Sequence, residues 1–355
     1  MSGPGLPAAA AQHSPQGSAA WRIRSAVRAW RREDPARVQG GAVCVALSGG
    51  ADSLALTAAA VAEFDEVHAL IVDHGLQQGS DEVARRAAEI AAGLGAIPRI
   101  LTAEVGSSGG PEAAAREARY AALAGARQGL PVLLAHTLSD QAETVLLGLA
   151  RGSGARSLRA MAGWDAPWGR PLLGVPRQDT RAACTELGLH VWDDPHNLDP
   201  RFRRVRVRSE LLPLAEDVLG PGVAEALART AMQLRADDDA LSAIAAATLD
   251  RGRLPVKGSD GVGPPVAGLE VGVVEAAEPA IAARVVKAWL AENGAIDLTF
   301  AHIDAVVALC RRWSGQGPVA IPAGPEWRGA PVPGRSVRRL SAWREGRTLR
   351  IGLRQ

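Results

Sequence analysis

The chain reads VCVALSGGADS over residues 43–53, and the fold is decided there. An apolar run, Val43, Cys44, Val45, Ala46 and Leu47, stops at Ser48-Gly49-Gly50. Directly after Asp52-Ser53 an apolar segment of helical character covers residues 54–62. The pattern predicts a buried strand, a glycine turn and a helix N-terminus. A helix N-terminus presents unpaired N–H groups and a partial positive charge, so it favours anions. Gly49 and Gly50 let the backbone approach a ligand that side chains would block. Ser48 and Ser53 add hydroxyl groups, and Asp52 adds a carboxylate suited to Mg2+. No Gly-Lys-Ser/Thr follows, and the spacing is not GxGxxG, so neither a Walker loop nor a dinucleotide fingerprint is present here.

Working outward, strands are predicted at 67–72, 97–105 and 131–135. Helices are predicted at 21–30, 81–94 with Ser80 as N-cap, 111–128 and 139–150. Strands alternating with helices imply an α/β fold with a parallel sheet flanked by helices. Ligands of such sheets sit beyond the carboxyl ends of the strands. The polar clusters fall at those ends: 48–53, Asp73-His74, and His136 through Glu143. That convergence predicts one active site.

Asp140 and Glu143 are three apart and share a face in the first turn of their helix. Two carboxylates there can hold Mg2+, or bind an ammonium group and help it lose a proton. They can equally serve as caps that complement the helix dipole. A basic loop, Arg151 to Arg156, follows, and residues 201–208 read RFRRVRVR. Such arginine density points to phosphate contact, or else to a solvated charged face. An extended segment would put Arg204, Arg206 and Arg208 on one face.

A length of 355 residues predicts two or three domains. Net charge is +2, which alone does not indicate nucleic acid, and Lys257 and Lys287 are the only lysines. Cys44, Cys184 and Cys310 are far apart in apolar segments, and no CxxC occurs. That suits a reducing cytosol and disfavours a cysteine-bound cluster. The sequence has no secretory apolar region and no apolar span of ~18 residues, so a soluble cytoplasmic chain without a membrane partner is expected. Residues 1–20 read as a disordered tail. Residues 216–250 read as a helical linker, with Asp237-Asp238-Asp239 on an exposed helical face. Residues 251–355 read as a smaller helical and α+β domain, with helices at 279–293 and 299–313 and short strands at 319–321, 340–343 and 348–353. Trp313, Trp327 and Trp343 are better read as core packing than as base-stacking platforms. Oligomeric state stays open, a homodimer included.

SGGADS resembles the PP-loop of ATP pyrophosphatases, which split ATP into AMP and pyrophosphate while adenylating a substrate. VDHGL at 72–76, AREARY at 115–120 and AHTLSDQAETVLLGLARGSG at 135–154 resemble the tRNA(Ile)-lysidine synthetases. RPLL at 170–173 and DDPHN at 193–197 do so too. The likeness covers about 43–213 and continues weakly beyond, where longer family members carry a further domain. It implies a Rossmann-like PP-loop catalytic domain over 21–215 and a tRNA-binding domain over 251–355. It implies a ligase that uses ATP and Mg2+ to adenylate the wobble cytidine of tRNA(Ile) with a CAU anticodon. The amine of free lysine then displaces AMP to give lysidine, and codon reading changes from AUG to AUA.

Carried over, Ser48, Gly49, Gly50, Ala51, Asp52 and Ser53 match the ATP loop, Asp52 also positioning the metal. Arg116 matches an arginine near the phosphates and reacting base, and Arg119 is a second candidate. His136 lies near the nucleotide, while Asp140 and Glu143 receive the lysine ammonium. Arg151, Arg156, Arg204, Arg206 and Arg208 are the tRNA-binding candidates. The family's usual Arg-Asn-x-Ile-Arg is Arg204-Val205-Arg206-Val207-Arg208 here. Two alternatives remain: another PP-loop tRNA enzyme of the cytidine thiolase type, and a non-catalytic nucleotide- and tRNA-binding module.

Overall fold

The apolar run forms a five-residue strand, β1 (Ala42–Ala46), whose central three residues are buried. The computed structural model describes residues 14–73, 75, 79–103, 111–150, 155–194, 199–255, 268–324, 327 and 339–354. In chain order the first compact unit contains α1 (Ala19–Glu33), β1, α2 (Ala51–Glu63), β2 (Glu66–Asp73), α3 (Ser80–Leu94) and β3 (Ile97–Thr102). It continues with α4 (Pro111–Ala126), β4 (Val132–Leu133), α5 (Leu138–Leu149) and the short α6 (Ala155–Leu158). Then come β5 (Trp164–Asp165), β6 (Trp168–Gly169), α7 (Arg177–Glu186), α8 (Arg203–Arg206), a π-turn at Val207–Leu211, and α9 (Leu212–Leu219). Its sheet has the order β3-β2-β1-β4-β6-β5, parallel except for the β5–β6 pair.

In that order β1 has β2 on one side and β4 on the other, so the direction of winding reverses between β1 and β4. The loops that leave two such strands diverge and open a crevice at their carboxyl ends. The loop into α2 and the loop into α5 flank this crevice.

Helix α2 is buried on nearly every side, with Leu54, Leu56 and Ala60 inaccessible to solvent. Its unbroken Leu54-to-Ala62 apolarity reflects this: the sheet covers one face, and α1 and α7 cover the others. The first helix begins at Ala19, two residues ahead of the expected start and inside the segment read as tail. Ser18 caps it by accepting from Trp21 N–H, and the Glu186 carboxylate accepts from the N–H groups of Ala19 and Ala20 at 2.9 and 2.8 Å. Residues 1–13, the rest of the expected tail, lie outside the described residues. Helix α3 is capped by Gly79, left-handed at φ 82°, and Ser80 is its first helical residue rather than its N-cap. Strand β3 ends at Thr102.

The C-terminal end of α2 is tied to α1 by Glu63, which accepts from Arg24 and from Arg28 Nε and Nη2 at 2.9 and 2.7 Å. Burial works to raise Glu63, but the two guanidinium groups outweigh it and hold the carboxyl below its usual range. A depressed carboxyl stabilises the fold above its unfolded pKa, and that contribution is lost as pH falls through the folded value. Glu63→Gln is therefore expected to lower stability by about 1–3 kcal/mol at pH 7. The difference from the parent should shrink in acid, as read by urea unfolding at pH 7 and near pH 3.

The second compact unit begins within helix α10 (Val223–Gly252), at residue 236. It holds β7 (Arg253–Leu254), β8 (Gly268–Glu270), α11 (Val271–Ala276), α12 (Pro279–Glu292), α13 (Phe300–Arg311), β9 (Val319–Ala320), β10 (Arg339–Glu345) and β11 (Thr348–Arg354). The strands form an antiparallel sheet in the order β7-β8-β11-β10-β9. Trp289, Val285, Val306, Leu349 and Ile351 centre its core. Trp327 is buried there and donates through Nε1 to the Asn293 carbonyl at 2.9 Å. Trp313 is 42% exposed, with the Arg344 guanidinium 5.6 Å above its ring, so it is not a core residue. Asp238 is not on an exposed face either: it is buried and pairs with Arg284 at 2.7 Å, because a helix turns the middle of three residues inward when its neighbours face out.

Candidate active site

The glycine turn after β1 is built as its sequence dictates. Gly49 sits at φ 82°, a conformation that side chains disfavour, and a Cβ there would meet Ala87 and Trp192. Gly50 is the N-cap of α2 and offers no side chain, so the first N–H groups of the helix lack a side-chain cap. Ser53 ties the turn together: it accepts from Ser48 N–H at 3.1 Å and donates to the Gly50 carbonyl at 2.9 Å. Trp192 N–H braces the outer edge by donating to the Gly49 carbonyl at 3.1 Å. The first N–H groups of α2 are thus left without a side-chain partner, with Ser48 exposed and Asp52 half-buried in the first helical turn.

Asp52, Asp140 and Glu143 converge on one guanidinium. Arg177, the first residue of α7, donates from Nε to Asp52 Oδ2 at 3.2 Å and from Nη2 to both oxygens of Asp140 at 3.1 Å. Its Nη1 lies 4.0 Å from Glu143 Oε1. Thr180, one turn further along α7, donates to Asp52 Oδ1. Burial raises Asp52, and Arg177 and Thr180 only partly offset it, so its carboxyl stays above the usual range. Burial opposes ionisation of Asp140 too, but there Arg177, the N–H and hydroxyl of Thr137, and His136 prevail, leaving it at about 2. Arg177 lowers both aspartates, and what separates them is burial prevailing at Asp52 against the added Thr137 hydrogen bonds and His136 at Asp140.

Asp140 closes a capping box with Thr137, accepting from Thr137 N–H at 2.9 Å and from its hydroxyl at 2.8 Å. The capping reading of this acid therefore holds alongside its place in the cluster. Glu143 has no exposed surface and is gripped by two arginines: Arg204 Nε at 2.9 Å, and Arg208 Nε and Nη2 at 2.6 and 3.1 Å.

That grip overturns the extended reading of the 204–208 segment. It is helical, and Arg204 and Arg208, four apart, face Glu143 together, while Arg206 turns outward to Glu210 at 2.8 Å. The β-branched Val205 and Val207 favour a strand, but Val207 packs with Ala142 and Leu212, and tertiary burial prevails over propensity. Arg156 is exposed on α6. Arg151, His74 and residues 195–198 lie outside the described residues.

On the other flank of the crevice, Arg116 is exposed and stacks on Tyr120, its guanidinium 4.9 Å from the ring. It does not join the carboxylate cluster. His136, at the carboxyl end of β4, is driven by burial to a pKa of about 3 and is a neutral imidazole.

A PP-loop domain model matches residues 24–215, and a TilS substrate-binding domain model matches residues 269–339. The tRNA(Ile)-lysidine synthase of Rhodococcus erythropolis is 57% identical over 316 residues, which cover 88% of this chain and 93% of that protein. The chain belongs to the tRNA(Ile)-lysidine synthase family. The synthase of the same name from Mycobacterium tuberculosis is 56% identical over 278 residues, 78% of this chain and 83% of that protein. Among solved structures, the U34-tRNA thiolase NcsA of Methanococcus maripaludis aligns over 60% of this chain and 79% of its own, with 18% identity and a TM-score of 0.47.

As a member of the synthase family the chain is an ATP-using, tRNA-modifying ligase, and the thiolase and non-catalytic alternatives are not favoured. The thiols agree with this. Burial pushes Cys44 to about 11 and Cys184 and Cys310 to about 12, far from the thiolate that sulfur chemistry needs. Within this synthase site, Arg177 and Thr180 are the residues that sequence reasoning missed. The signal available was RPLL at 170–173 running straight into a helix that starts with arginine.

Proposed function

We propose that the chain adenylates the wobble cytidine of tRNA(Ile) with a CAU anticodon and transfers free lysine to it, forming lysidine, AMP and pyrophosphate. The observation that carries this reading is the meeting, through Arg177, of Asp52 at the uncapped start of α2 with Asp140 at the start of α5. ATP phosphates sit on the N–H groups of Gly49 to Ser53, where the helix dipole favours negative charge. His136, uncharged, lies near the nucleotide without repelling cations. Asp140 binds the lysine ammonium and orients it, while Glu143, without exposed surface, holds Arg204 and Arg208 behind it and does not touch the amine. Arg116 reaches from α4 toward charge that develops on the transferring phosphate.

Among the described residues no three His, Cys, Asp or Glu side chains are grouped to hold a metal. Mg2+ fits this donor set as an ion carried in on ATP phosphates with Asp52 as its protein ligand, since Mg2+ keeps its waters and needs few carboxylates. Bound there, it would neutralise phosphate charge.

Of the described arginines expected to touch tRNA, Arg156 and Arg206 are exposed and suit phosphate contact; Arg204 and Arg208 hold Glu143. None of the described helices is long and apolar enough to cross a membrane, and a tRNA substrate suits a cytoplasmic enzyme. The discriminating assay is pyrophosphate release. The first turnover is expected to require tRNA alone, because pyrophosphate leaves on adenylation, and sustained release over many turnovers is expected to require lysine as well, because lysine displaces AMP and frees the site. Release that ignores lysine and depends on a sulfur donor would favour thiolation, and binding without any release would favour a non-catalytic module.

A further inference from the structure

Helix α5, which carries Asp140 and Glu143, is held at both ends by the chain that follows it. Near its C-terminal end Gly148 lets the backbone of α6 approach so closely that a Cβ there would strike the Ser157 carbonyl. Near its N-terminal end Gln141, only 3% exposed, grips the same segment with both ends of its amide. Its Nε2 donates to the Met161 carbonyl at 2.9 Å, and its Oε1 accepts from Met161 N–H at 2.8 Å. A two-point contact of this kind resists rotation of the helix, so Gln141 fixes the direction of its chain neighbour Asp140.

The segment is itself fastened. Each carbonyl from 159 to 163 accepts from a side chain elsewhere in the fold. Arg235, on α10, donates from Nη2 to the Arg159 carbonyl at 3.0 Å and to the Ala160 carbonyl. Gln141 takes Met161, Arg170 Nη1 takes Ala162 at 3.0 Å, and Trp30 Nε1 takes Gly163 at 2.9 Å. Between the Arg235 and Gln141 contacts, Ala160 sits at φ 46°, a left-handed conformation that alanine disfavours. Strained backbone persists only where its surroundings over-determine it. Arg235 is the last residue of the first unit, and α10 runs on into the second without a break.

We propose that Gln141 and Arg235 are positioning residues for the amine-transfer step. Arg235 fastens the 155–163 segment, the segment holds α5 through Gln141 and Gly148, and α5 sets Asp140 against the incoming amine. Neither residue touches a reacting group. The placement of the acid thereby answers to α10, the helix that leads into the second unit. The inference rests on the lysine-transfer reading for its kinetic assay, and on the hydrogen bonds alone for its structural one.

The test uses the full chain, tRNA with a CAU anticodon, ATP, Mg2+ and lysine. A small misplacement at a reacting centre costs up to about 100-fold in rate, so Gln141→Leu is expected to lower kcat/KM for lysine by roughly 10- to 100-fold. Arg235→Met, one contact further away, should lower it by roughly 10-fold. The KM for ATP and the first-turnover burst of pyrophosphate should stay within about twofold of the parent, because neither residue touches the turn into α2. Arg235→Lys, which still offers donors to the two carbonyls, should recover part of the loss. Both residues act through one segment, so the double variant Gln141→Leu/Arg235→Met should lose little more than Gln141→Leu alone. Hydrogen exchange reads the segment without any substrate: α5 amides should exchange about 10-fold faster in Arg235→Met, and α2 amides at the parental rate. Losses that multiply in the double variant would overturn the proposal. So would a lowered thermal midpoint with kcat/KM for lysine and α5 exchange both parental, which would make Arg235 merely structural. Faster α5 exchange in the variant, in a parent chain that transfers no lysine, would instead refute the functional reading and leave the segment's hold on α5 standing.

Discussion

Arg177→Met is expected to reduce lysine transfer by about 100-fold or more, the scale of losing a preorganised charged donor in an active site. The guanidinium stands between Asp52 and Asp140, bonded to both, and within 4.0 Å of Glu143. Without it, two buried carboxylates face each other with no cation between them. Like charges in a shared site push a proton onto one partner. The Asp140 carboxyl, held at about 2 in the parent, would rise. The sign follows directly. In the parent a depressed Asp140 stabilises the fold above its unfolded pKa, and this is lost only as pH falls through about 2. In the variant the loss begins at higher pH, and the acid limb of the activity profile moves upward with it. Arg177→Lys keeps a charge but cannot bridge both aspartates, so it should recover activity only in part. The effect should lie in kcat and in the KM for both lysine and ATP, because Arg177 touches Asp140 on the lysine side and Asp52 on the metal side. Parental kcat with an unmoved pH profile would show that Arg177 has no part in organising the site.

Glu143→Gln should be the most destabilising conservative change in the first unit. The side chain has no solvent exposure and accepts from Arg204 and Arg208 together. Removing its charge leaves the partly buried Arg204 without a carboxylate and Arg208 with only Asp140, 3.5 Å away, at a cost of about 3–5 kcal/mol. That corresponds to a fall of roughly 10 °C in thermal midpoint for a unit of this size. Activity should fall too, and the double variant Glu143→Gln/Arg204→Met should be less destabilised than the sum of its parts. Full additivity of the two changes would show that the arginine does not depend on the glutamate.

The parts of this site that are legible in sequence are the local ones. Ser48 to Ser53 announce themselves because strand, turn and helix start within a few residues of each other. Asp140 and Glu143 are legible because their spacing matches a helical face and they follow a strand directly. Arg177 is hidden, since its bonds to Asp52 and Asp140 span 125 and 37 positions, and the RPLL segment upstream marks the helix but not these partners. The same is true of Glu186 capping α1 from 167 residues away. The arginines of 204–208 mislead for a different reason. Alternation of arginine and valine has the period of a strand, yet the partner that decides their geometry, Glu143, lies some 60 residues earlier and rewards the i, i+4 spacing of a helix. Asp238 fails similarly, because its partner Arg284 sits on another helix.

Incorporation of radiolabelled lysine into bulk tRNA, with ATP and Mg2+, tests the central claim most directly. ATP-dependent label confined to an isoleucine tRNA with a CAU anticodon is the predicted result. A folded chain that binds ATP and tRNA yet leaves lysine unincorporated would contradict it.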